Sequence, residues 1–125
     1  MSKGYRRLES ASDLNRLMTR YYTMSRFVGR LKPLEWVTSG APIEILQAMG
    51  MASVYPENYG ALCGARRAAT PLCEVAEARR YSQDLCSYAR SSLGSVFAPD
   101  KAPMGGLPKP ELLLCCNNIC GTVLK

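Results

Sequence analysis

Along the first third of the chain, Leu14, Leu17, Met18, Tyr21 and Val28 recur at three- and four-residue intervals between Asp13 and Val28. That spacing predicts an amphipathic helix. Ser10 or Ser12 is placed to cap its start, and Gly29 and Pro33 to end it. A short apolar run, Leu34 to Thr38, follows, then a Ser-Gly-Ala-Pro loop and a second helical pattern up to Met49. Pro42 suits the first helical position, Glu44 the positive end of the helix dipole, and Gly50 a left-handed stop. Met51 to Tyr55 reads as a second strand that Pro56 closes. The helix between the two strands makes them a parallel pair with a right-handed crossover.

Farther on, Thr70 and Pro71 open another helix, and Ser82 with Asp84 opens one running to Leu93, with Gly94 as its stop and Leu85, Ala89 and Leu93 as its buried stripe. Residues 98–110 hold four prolines and two glycines, so a surface connection is expected there. Glu111 to Cys116, with three consecutive leucines, suits a strand buried on both faces. Asn117 and Asn118 make a turn, and Ile119 begins something helical. The expected fold class is α/β: a partial doubly wound parallel sheet of about three strands preceded by an N-terminal amphipathic helix. Residues 1–33 form the helical segment and 34–125 an incomplete α/β domain. Three short parallel strands leave bare edges, so a piece of a longer subunit is expected.

With 47% hydrophobic residues, the composition is that of a globular domain. The basic start, Met-Ser-Lys-Gly-Tyr-Arg-Arg, has no apolar run behind it, and nowhere do about eighteen apolar residues follow one another. A cytoplasmic protein without a membrane span is expected. The net charge of +6 is spread among acids rather than gathered in a dense run, which argues against nucleic-acid binding. Arg6, Arg7, Arg16, Arg20, Arg26 and Arg30 fit a solvated helix face.

The six cysteines change the picture most: Cys63, Cys73, Cys86, Cys115, Cys116 and Cys120. In a reducing compartment they are free thiols. None forms Cys-x-x-Cys and there is no histidine, which argues against zinc. In a parallel α/β sheet, ligands gather beyond the carboxyl ends of the strands. Here three segments arrive there: Thr38 to Pro42, Tyr55 to Tyr59, and Cys116 to Cys120. Cys120, just past a strand, and Cys86, in the first turn of a helix, stand where a thiolate is favoured, and Cys63 could join them. Each of the three serves equally well as a small buried hydrophobe. Cys73 and Cys115 fall on apolar faces and are assigned to packing; Cys116 is left open.

Four segments, Trp-Val-Thr-Ser-Gly-Ala-Pro-Ile-Glu (36–44), Tyr-Pro-Glu-Asn-Tyr (55–59), Asp-Leu-Cys-Ser-Tyr-Ala-Arg (84–90) and Cys-Asn-Asn-Ile-Cys (116–120), resemble in order and spacing the catalytic subunits of the 2-hydroxyacyl-CoA dehydratases and the related ATP-dependent benzoyl-CoA reductases. The resemblance implies a subunit of several hundred residues that holds one 4Fe-4S cluster through three cysteines. Cys86 and Cys120 match the first two ligand segments, the third ligand lies outside this chain, and Cys63 is the alternative. It also implies a sister catalytic subunit, an ATP-hydrolysing activator protein and a CoA thioester substrate. One electron passes through the cluster to the thioester carbonyl, giving a ketyl radical that expels the α-hydroxyl; in the reductases the electron enters an aromatic ring. Ser39 and Glu57 match segments on the substrate side, where a hydroxyl and a carboxylate can orient a carbonyl or carry a proton. Their ordinary alternatives are a loop or capping serine and a helix-start carboxylate. The competing class is a non-catalytic subunit-contact module that keeps the βα scaffold without a cofactor.

Overall fold

The computed structural model describes residues 8–118 and 120–124. Three parallel strands lie at its centre: β1 (Leu34–Val37) in the middle, β2 (Ala52–Val54) on one side and β3 (Leu112–Leu114) on the other. Leu34 stands opposite Ala52 and Trp36 opposite Val54, while Glu35 pairs with Leu112 and Val37 with Leu114. This is the expected α/β arrangement, with α1 (Glu9–Val28) ahead of the sheet. Among the described residues no helix is long and apolar enough to cross a membrane.

Helix α1 begins earlier than its periodicity predicts, and Leu8 caps it without a side-chain bond, so neither Ser10 nor Ser12 has the capping role. Its buried face is also turned from the expected stripe. Tyr22 and Ser25 are buried, whereas Leu14, Leu17 and Tyr21 stay exposed. The Tyr22 ring packs with Leu34, Val54, Tyr59 and Leu72 in the core, and its hydroxyl donates to Asn58 Oδ1 at 2.7 Å. A buried phenol needs that partner, and it is available only in this rotation.

The β1–α2–β2 unit follows the local signals closely. Helix α2 (Ile43–Ala48) carries Glu44 in its first turn, and Gly50 adopts φ +77°, the left-handed conformation that glycine enters without strain. Pro42 sits one position before the helix rather than at its first residue. Pro56 closes β2 and at once opens α3 (Pro56–Ala65), a helix the sequence pattern does not mark. Its apolar residues are interrupted by Gly60 and Gly64, so no stripe of helical period stands out.

Helices α4 (Ala69–Ala78) and α5 (Ser87–Phe97) pack against each other and against α3. Gly94 does not end α5 but lies inside it, buried against α4, where a Cβ would stand 1.9 Å from the Leu72 carbonyl oxygen. The buried face of α5 is Ser91, Ser92, Gly94 and Ser95; Leu85, Ala89 and Leu93 are only partly buried. Small residues let the helix axes approach closely. The three serine hydroxyls find backbone carbonyls: Ser91 on Tyr88, Ser92 on Pro56 and Ser95 on Ser92.

The proline-rich connection is not purely a surface loop. Ala98, Ala102 and Leu107 are buried, and Tyr59 donates its hydroxyl to the Pro103 carbonyl at 2.6 Å. Its prolines shape a strap whose apolar residues complete the core. Strand β3 also departs from expectation: Leu112 and Leu113 are 39% and 62% exposed, so this is an edge strand with an open face. On the central strand, Glu35 is fully buried; its Oε1 accepts from the Ser53 hydroxyl at 2.6 Å and its Oε2 has no partner.

Candidate functional site

All three strands run the same way, so the loops after them emerge on one edge of the sheet. After β1, Thr38 Oγ1 accepts the Cys116 amide at 2.7 Å, which ties the loop following β3 to the loop following β1. One residue on, the Ser39 amide donates to Glu57 Oε2 at 3.2 Å and the Ser39 hydroxyl donates to the same oxygen. Glu57 belongs to the first turn of α3, directly after β2. Residues eighteen positions apart therefore meet because each immediately follows its strand.

Cys120 arrives at the same place from the third strand. Its thiol is exposed and held below its ordinary pKa, first by hydrogen bonding to the Thr122 side chain and then to the Thr122 backbone; the nearby Glu57 charge pulls weakly the other way. Ser39 and Glu57 are thus in hydrogen-bond contact, and Cys120 lies close enough to Glu57 for that charge to act on its thiol. Cys116, half-buried, turns its sulfur to the Asn118 side-chain oxygen. Ile119, the expected start of a helix, lies outside the described residues; Gly121–Leu124 form a short 3₁₀ turn.

Cys86 occupies the residue before α5 rather than its first turn, and it is exposed. Arg90, one turn later, pins this corner: its Nε donates to the Leu85 carbonyl at 2.9 Å and its guanidinium pairs with Glu77 of α4. Helix α5 runs antiparallel to α3, because Tyr88 packs on Gly60 while Ser92 bonds the Pro56 carbonyl. Cys86 accordingly stands beside the later part of α3, away from the first turn that carries Glu57. Among the described residues no trio of cysteine or carboxylate side chains is gathered closely enough for a metal ion.

The remaining cysteines divide by burial. Cys63 has no exposed surface, and burial pushes its thiol up to about 11, so it sits in the core with the Tyr59 hydroxyl as neighbour. Cys73 is buried too, its thiol raised by burial and facing the Ser87 carbonyl at 3.6 Å. Cys115, assigned to packing from its position, is exposed.

Beside the Ser39–Glu57 pair opens a hollow of about 520 Å³, walled by Leu17, Met18, Tyr21, Tyr22, Val37 and Tyr55, with Asn58 near the pair. In sequence Tyr21 reads only as part of a helix stripe, Tyr55 only as the start of a strand-end segment, and Tyr22 carries no signal. Their position depends on α1 folding back over β2, which no local pattern encodes. Thr38 opens one of the strand-end segments, but its role in holding the neighbouring loop through its hydroxyl is not legible in the sequence.

A family model described as 2-hydroxyglutaryl-CoA dehydratase, D-component, matches residues 38–125. The chain is 40% identical over 94 residues to the (R)-2-hydroxyisocaproyl-CoA dehydratase alpha subunit of Clostridioides difficile, covering 75% of this chain and 23% of that protein. It is 41% identical over 90 residues to the (R)-phenyllactyl-CoA dehydratase alpha subunit of Clostridium sporogenes, covering 72% and 22%. To the lactoyl-CoA dehydratase subunit alpha of Anaerotignum propionicum it is 38% identical over 103 residues, covering 72% and 24%. The chain spans about a quarter of the length of these relatives. It belongs to the 2-hydroxyglutaryl-CoA dehydratase D-component family.

Proposed function

We propose that this chain is the cluster-holding portion of a 2-hydroxyacyl-CoA dehydratase subunit that works in the cytoplasm with a sister subunit and an ATP-dependent activator. The observation that carries the reading is the bonding of Ser39 to Glu57 at the carboxyl edge of the parallel sheet, where Thr38 also ties down the loop that leads to Cys120. The reaction removes the α-hydroxyl and a β-hydrogen of a CoA thioester as water and leaves an enoyl-CoA, with no net oxidation.

Cys86 and Cys120 suit a 4Fe-4S cluster in the chemistry of their donors: both thiols are exposed, and Cys120 is held toward the thiolate. The third ligand comes from the rest of the subunit. When bound, the cluster supplies one low-potential electron, which makes the thioester carbonyl a ketyl and returns after elimination. The buried Cys63, with its raised thiol, suits packing better.

The chain's own groups handle orientation and protons. The Ser39 hydroxyl can turn from Glu57 to the thioester carbonyl oxygen, where a hydrogen bond stabilises developing negative charge. Glu57 can hold the proton that the departing hydroxyl needs to leave as water. The test is anaerobic iron and sulfide reconstitution of the full-length subunit, followed by electron paramagnetic resonance. Cys86→Ala and Cys120→Ala should each lose the cluster signal of the parent. An undiminished signal in both variants overturns the ligand assignment.

A further inference from the structure

The hollow beside Ser39 and Glu57 differs from its surroundings in the character of its wall. Two of its three tyrosines have their hydroxyls committed elsewhere: Tyr21 donates to the Ser53 carbonyl at 2.5 Å, and Tyr22 donates to Asn58 Oδ1 at 2.7 Å with the Tyr55 carbonyl as a longer second acceptor at 3.1 Å. The rings also brace one another, Tyr21 stacking on Tyr55 with centroids 6.3 Å apart and Tyr22 meeting Tyr21 edge-on at 5.3 Å. With those two hydroxyls engaged, the hollow away from Ser39, Glu57 and Asn58 is faced mainly by carbon.

Charge is distributed just as unevenly. Among the described residues, the only charged side chain lining this hollow is Glu57, which is negative. Of the two cations next in sequence to its lining residues, Arg16 pairs with Asp13 and Arg20 lines the adjoining hollow on the Gln47 and Met51 side. A carboxylate entering here leaves water without finding a positive partner and meets a like charge at the polar end. An uncharged tail meets apolar surface throughout. Size is no obstacle, since an apolar cavity of about 150 Å³ already accepts a benzene ring and this hollow is about 520 Å³.

We propose that this hollow receives the acyl tail of the thioester and selects uncharged, bulky tails, branched or aromatic, over tails that end in a second carboxylate. The inference rests on the dehydratase reading, because it takes the Ser39–Glu57 pair as the place of the reacting carbons. The thioester head lies at that pair, and the tail runs along α1 past Tyr55 and Tyr21 toward Leu17.

Competitive binding to the full-length enzyme with its sister subunit tests this, using three probes: a branched neutral 2-hydroxyacyl-CoA, a 2-hydroxydicarboxylic acyl-CoA of similar length, and free CoA. The neutral thioester is expected to bind about 100-fold more tightly than the dicarboxylic one, because a carboxylate taken out of water without a positive partner loses its hydration. Leu17→Arg, at a position 61% exposed and so open to a long side chain, is expected to narrow that ratio at least tenfold, chiefly by tighter binding of the dicarboxylic thioester. Equal or tighter binding of the dicarboxylic thioester by the parent enzyme, with both thioesters dehydrated, overturns the tail assignment and leaves the dehydratase reading standing. If neither thioester binds better than free CoA and neither is dehydrated, the dehydratase reading falls and the tail assignment with it.

Discussion

Ser39 presents both its amide and its hydroxyl to a single oxygen of Glu57, so that two strand-end loops close on each other through one carboxylate. The link is polar and exposed, and the core beneath it is formed by other residues. Chemistry and stability should therefore separate at this pair.

Glu57→Gln keeps the hydrogen-bond acceptor but removes the ability to hold a proton. In the full-length enzyme it is expected to lower kcat by about 100-fold or more, the usual contribution of a positioned acid or base, with the melting temperature unchanged within about 2 °C. Ser39→Ala should lower kcat by roughly tenfold or more through loss of one donor to the carbonyl oxygen. Turnover at the parent rate in both variants removes these residues from the mechanism.

The parts of this structure legible in the sequence are those fixed by neighbours along the chain. Pro42, Glu44 and Gly50 mark α2 because a helix start and stop depend on a few consecutive residues. The same holds for the strand ends that precede Ser39 and Glu57, whereas these two residues themselves stand out only through the resemblance to the dehydratase family. What escaped depends on partners distant in sequence. Tyr22 faces the core because Asn58 receives its hydroxyl, and β3 has an open face because only β1 pairs with it. Gly94 reads as a helix stop, yet its lack of a side chain serves contact with α4.

That contact gives a stability prediction with an internal control. In Gly94→Ala the new Cβ would meet the Leu72 carbonyl oxygen, part of the α4 backbone, which cannot swing away as a flexible side chain can. A loss of about 3 kcal/mol is expected from forcing the two helices apart. Gly64→Ala, in α3 with nothing within 4 Å of the added atom, should instead gain about 0.5 to 1 kcal/mol from the better helix former. Urea titration of both variants beside the parent measures the difference, and equal effects would contradict the close α4–α5 approach.

Alkaline pH should weaken the core through its acidic hydroxyls and thiol. Burial raises Cys63 from 9.0 to about 11, and it raises the buried Tyr22 and Tyr59 well above the ordinary tyrosine value of 10.0. Each of these groups binds its proton more tightly folded than unfolded. Its stabilising contribution is therefore complete below the unfolded pKa and is lost as pH rises toward the folded value. Arg66 opposes the shift at Cys63, but desolvation outweighs it. Unfolding free energy measured under reducing conditions is expected to hold steady from pH 7 to about 8.5, fall between about 9 and 10 as the Cys63 difference is lost, and fall faster above 10 as the tyrosines contribute. Cys63→Ala should be less stable at pH 8, since it leaves a small void in the core, but its decline between pH 9 and 10 should be shallower than the parent's. A parent curve that stays flat through pH 10.5, or a variant that declines as steeply as the parent, would show that the Cys63 thiol is not held protonated by the fold.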